Sequence, residues 1–137
     1  MISIKEGYRS AVIYMLLRLM AADGHRDRAE YIYILNIARE MGMTMDDVAA
    51  LTPEDIIEEW RLPANERDRM IILYYLLFMM KTDGTVTPEE ESVVKELGYQ
   101  LGFRIEMVAD LIQVIKGHDI HATPAEGLIE KIRTYLN

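Results

Sequence analysis

Four acidic side chains stand where this chain could do chemistry. Asp23 and Asp83 are each followed by glycine, and Glu30 and Glu90 each lie seven residues further on. Oxygen ligands of this kind suit a hard divalent cation such as calcium, magnesium or manganese. A carboxylate pair that met in a cleft would also serve acid–base work. In segment 83–90, Asp83, Gly84, Val86 and Glu90 fall at positions 5, 6, 8 and 12 of a calcium loop. Positions 1 and 3 of that loop are Met79 and Lys81, and in the first copy Leu19 and Ala21, so a true EF-hand is not expected. The same four residues also suit helix punctuation. Glycine lets the chain reverse after a long helix, Asp bonds its own turn, and Glu completes a capping box.

What positions these groups is an internal repeat. Laying 9–51 over 69–111 without a gap pairs Asp23-Gly24 with Asp83-Gly84, Glu30 with Glu90 and Gly42 with Gly102. Of the 43 aligned positions 12 are identical, among them Arg9/Arg69, Tyr14/Tyr74, Leu16/Leu76 and Met20/Met80. Average residue usage would give roughly three. No stretch alternates with period two, and every periodic stretch reads as helix. Helices are predicted at about 4–20, 28–41, 45–51, 53–60, 66–81, 88–101, 105–116 and 124–136. In the first, Val12, Ile13, Leu16, Leu17 and Met20 form the apolar face, with Arg9 and Arg18 toward water. Its counterpart over 66–80 is apolar almost all round, as a central helix should be.

Capping signatures open the remaining helices. Asp27, Thr44, Thr52, Thr87 and Thr123 supply side-chain acceptors, and each has a carboxylate three residues later. Pro53, Pro88 and Pro124 sit at the first helical position, where a missing N–H costs nothing. Gly42, Gly102 and Gly117 are read as the left-handed residues that close the preceding helices. The expectation is an all-α, compact single domain over 1–137, a bundle of about seven to eight helices. It is built from two repeats of about 60 residues, the first about 9–60 and the second about 69–136.

Composition narrows the functional classes. The absence of cysteine removes disulfides, thiolate metal sites and cysteine nucleophiles, and fits a cytoplasmic home. A formal net charge of −8 argues against nucleic acid and anionic lipid, and favours cations or basic protein surfaces as partners. The longest apolar run, 70–80, is too short to span a bilayer, so no direct membrane insertion is expected. The N-terminus lacks a basic n-region and small-residue cleavage site. No nucleophile elbow, phosphate loop or metalloprotease helix is present, so no catalytic residue is assigned and no enzyme is expected. His118 and His121 read as a polar loop rather than a zinc site, and Trp60 as a core anchor rather than a docking residue. Met15, Met20, Met41, Met79 and Met80 fall at core spacing, while Arg26, Arg28 and Arg39 read as a solvated edge.

The pattern of a long apolar helix ending in Ala-Ala-Asp-Gly or Lys-Thr-Asp-Gly, then a capped helix closing on Met-Gly-Met or Leu-Gly-Phe, resembles the tellurite-resistance TerB-like domains. These include the N-terminal part of a membrane-anchored DnaJ-like co-chaperone. The resemblance covers about residues 8–136. It implies a small all-helical stress-response domain, cytoplasmic, working through a protein partner or a membrane-associated complex. It also implies a divalent cation held by acidic residues, which here are Asp23, Glu30, Asp83 and Glu90. The first turn departs from the family pattern, because Gly24 is followed by His25-Arg26-Asp27-Arg28, and two arginines beside a cation oppose it.

Overall fold

The two most apolar stretches of sequence become two long helices buried almost along their whole length. A computed structural model describes residues 9–22, 24, 28–51, 63–81 and 86–117. Among these residues the regular elements are all helices, α1 (Arg9–Met20), α2 (Arg28–Glu40), α3 (Met45–Ala49), α4 (Glu66–Met80), α5 (Pro88–Gln100) and α6 (Ile105–Lys116). The helices predicted at 53–60 and 124–136 lie outside the described residues, as do Trp60, His118 and His121.

Helix α1 packs on α2, α4 and α5, and α4 packs in turn on α5 and α6; α3 lies on α2, and α6 on α5. Contact on several sides explains the burial. In α4 Met70 through Leu77, then Met79 and Met80, are buried, and in α1 Ala11 through Leu17, then Leu19 and Met20. The first helix is therefore as central as the fourth. Leu16, Ile34, Leu73, Leu97 and Ile112, from five of the helices, belong to the same hydrophobic cluster. Each such side chain contributes roughly 1.5–3 kcal/mol by leaving water.

At α3 and α5 side chains close the N-termini as the sequence predicts, whereas α6 starts at Arg104 without a side-chain cap. Thr44 Oγ1 accepts the Asp47 N–H at 3.1 Å while the Asp47 carboxylate accepts the Thr44 N–H at 2.8 Å. Thr87 and Glu90 exchange the same two bonds, at 3.1 and 3.0 Å. Helix α4 carries a cap the sequence reading passed over: Asn65 Oδ1 accepts the Asp68 N–H at 2.8 Å.

The C-termini combine glycine with cations from other helices. Gly42 (φ +82°) and Gly102 (φ +96°) take the left-handed conformation that follows α2 and α5. Met43 N–H then reaches Ala38 O at 2.8 Å and Phe103 N–H reaches Gly98 O at 3.0 Å, as in a Schellman motif. Into each of these ends an arginine donates from 32 residues upstream. Arg9 Nη1 meets Met41 O at 2.7 Å, and Arg69 Nη1 meets Leu101 O at 3.3 Å. Arg9, predicted to face water, is thus half-buried against the end of α2. Gly117 departs from the prediction too. It sits at φ −83°, right-handed, because α6 is closed by other means. Its N–H serves Gln113 O and Val114 O, while the Lys81 ammonium donates to the next two carbonyls, Ile115 O at 3.0 Å and Lys116 O at 2.6 Å.

Candidate acidic-turn site

Of the four acidic residues singled out by sequence, the structure describes two. Glu30 sits in the first turn of α2 and Glu90 in the first turn of α5. Asp23 and Asp83 lie outside the described residues. Glu30 is 4% exposed and Glu90 1%, and among the described residues these are the buried charged side chains. A carboxylate so buried is costly unless hydrogen bonds, a counter-charge or an ion stabilise it. A helix N-terminus offers unpaired N–H groups and the positive end of the helix dipole. Glu90 uses that placement, since its Oε1 accepts the Thr87 N–H.

Charged residues on either side of 82–85 in the chain tie three helix ends together. Lys81, the last residue before that segment, directs its ammonium to the carbonyl end of α6. On the far side Glu91 pairs with Lys116 of α6 at 3.5 Å. The ends of α4 and α6 and the start of α5 therefore meet here. The turn after α1 differs in character: Ala21 occupies the position of Lys81, Gly24 has φ +79°, and Arg28 is exposed.

The donor set is all oxygen, which fits a hard divalent cation better than a thiophilic metal. Among the described residues no three His, Asp or Glu side chains are grouped closely enough to hold a metal by themselves. A cation at either turn would need the aspartate or backbone carbonyls of the turn to complete its shell.

Three cations that close helix ends were not read as such from sequence: Lys81, beside the second turn, and Arg9 and Arg69, at the opposite ends of α1 and α4 from the turns. The signal for the arginines was present, because the same residue recurs at the start of both repeats. Arg69 also donates Nη2 to Ala64 O at 2.8 Å and, with Glu66, Leu101 and Phe103, lines a surface depression of about 360 Å³. A tyrosine links α2 to α4, Tyr33 Oη donating to Tyr75 O at 3.3 Å. Burial pushes the Tyr33 phenol well above its ordinary range, and burial does the same to Tyr75.

No family model, no curated protein and no solved structure matches the chain. Among the described residues no helix is long and apolar enough to cross a membrane.

Proposed function

We propose that the chain is a non-enzymatic, cytoplasmic stress-response domain of the TerB-like kind. It acts by binding a protein partner, and it takes a divalent cation at its acidic turns through Asp23 with Glu30 and Asp83 with Glu90. The observation that carries this reading is the burial of Glu30 and Glu90, each seven residues beyond an Asp-Gly pair. A bound cation would offset the charge of such a carboxylate and tie the turn to the helix behind it. The net charge of −8 favours a basic protein surface as partner.

The same proposal holds that the domain is a duplicated unit of about seven to eight helices. In its support, positions 31–40 and 91–100 follow the same order of buried and exposed residues, and Arg9 and Arg69 bond the corresponding helix ends.

One observation favours a second reading, a purely structural or co-chaperone-type module without metal. Thr87 and Glu90 complete a reciprocal capping box, which gives the carboxylate a role needing no ion. Glu90→Gln separates the two, because glutamine keeps an oxygen for the Thr87 N–H and removes the charge. If a cation binds only the folded state, an excess of 100 times its dissociation constant adds about 2.7 kcal/mol to stability. The proposal predicts that calcium, magnesium or manganese raises the melting temperature of the natural chain and that Glu90→Gln diminishes the rise. A melting temperature indifferent to all three ions leaves the capping reading.

A further inference from the structure

We infer that Lys81 and Lys116 form a latch on the last turn of α6, one that can open while the core stays folded. It depends on hydrogen-bond and ion-pair geometry and stands or falls separately from the cation proposal. A helix leaves its last four carbonyls without intrahelical donors. In α6 these belong to Gln113, Val114, Ile115 and Lys116. The first two are met by the Gly117 N–H, and the last two accept from the Lys81 ammonium. Without the left-handed glycine that closes α2 and α5, this end relies on a cation from another helix.

The second tie comes from the other side of the turn. Lys116 Nζ lies 3.5 Å from a Glu91 carboxylate oxygen, in the first turn of α5. The end of α6 is therefore held from Lys81, just before residues 82–85, and from Glu91, just after Glu90. A change in the spacing of those two flanks pulls on the last turn of α6 directly. The first repeat has no counterpart of Lys81 in sequence, since Ala21 stands at that position. Val108, Leu111 and Ile112 remain buried against the core, so release is local to the last turn.

Amide hydrogen exchange of the whole chain tests this. Lys81→Met keeps the aliphatic stem and removes the donor. Exchange at Ile115, Lys116 and Gly117 is expected to accelerate by at least roughly tenfold, about 1.4 kcal/mol of local opening. Leu16 and Leu76, in the two central helices, should change by less than threefold. Lys81→Arg restores a donating cation and should return most of the protection. Glu91→Gln, which leaves Lys81 in place, should give a smaller acceleration at the same three amides. Unchanged exchange at these amides in Lys81→Met overturns the latch, as does equal acceleration at Leu16 and Leu76. Should Lys81→Met not fold, Glu91→Gln decides by the same comparison of α6 with the core.

Discussion

Arg9 Nη1 lies 2.7 Å from the carbonyl oxygen of Met41, joining the start of α1 to the end of α2. A guanidinium on a helix C-terminus satisfies a carbonyl the helix cannot and sits at the negative end of the dipole. Hydrogen bonds to charged groups contribute roughly 1.5–3 kcal/mol, so Arg9→Leu should cost about 2 kcal/mol. Arg69→Leu should cost less, because its bond to Leu101 O is longer at 3.3 Å. Urea denaturation of both variants gives the order, and a larger loss at Arg69 would contradict it.

The glycines opposite these arginines carry two constraints of different kinds. At Gly102 (φ +96°) a Cβ would lie 2.8 Å from Arg69 Nη1, and at Gly42 (φ +82°) 3.1 Å from Arg9 Nη1. At Gly24 (φ +79°) it would meet nothing within 4 Å. Alanine at Gly24 therefore bears only the left-handed penalty, about 1–2 kcal/mol. Destabilisation should rise from Gly24→Ala to Gly42→Ala to Gly102→Ala, which thermal melting of the three variants can rank.

Gly98, inside α5, obeys another rule. Alanine in a helix interior ordinarily stabilises by roughly 0.5–1 kcal/mol over glycine. Here a Cβ would fall 2.7 Å from Val108 Cγ2, where α6 crosses α5. Overpacking of this kind costs roughly 1–3 kcal/mol, so Gly98→Ala should destabilise. Combining it with Val108→Ala should recover about 1 kcal/mol of interaction energy in a double-mutant cycle. Strict additivity would place the clash elsewhere.

Much of this architecture is legible in the sequence because it rests on local chemistry. Thr44 and Thr87 cap where a hydroxyl precedes a carboxylate by three residues, and Gly42 and Gly102 turn left-handed where expected. The arginines and Lys81 were harder to read, because a cation on a helix reads as solvent-facing until the partner helix is placed. Gly117 misled for the same reason, since the donor that closes α6 comes from Lys81, 34 residues from Ile115. Within the candidate site, the position of Glu30 and Glu90 in their first turns could be foreseen from spacing. Their depth could not, because burial depends on how α1, α2 and α5 pack.

Acid and alkali should act through different groups. The Thr44 backbone N–H, with its hydroxyl, holds the Asp47 carboxyl below its ordinary range. The unfolded chain then takes up that proton first, so this stabilisation is complete above about pH 4 and fades as pH falls through the lower folded value. Burial raises the Tyr33 and Tyr75 phenols, so unfolded tyrosines release protons first and stability declines above about pH 10. Denaturation curves across pH should show a shallower acid slope in Asp47→Asn and a shallower alkaline slope in Tyr33→Phe. Unaltered slopes would contradict these assignments.

The acidic turns themselves are tested most directly by paramagnetic broadening. Manganese added in small amounts to the isotope-labelled chain broadens the amides nearest to wherever it binds. The proposal predicts early, saturable loss of signal at Gly24 and Glu30 and at Val86, Thr87, Glu89 and Glu90, with less at the second group in Glu90→Gln. Broadening that instead begins at exposed carboxylates such as Asp46, Glu106 and Asp110, or is even across the acidic surface, would contradict a cation site at the turns.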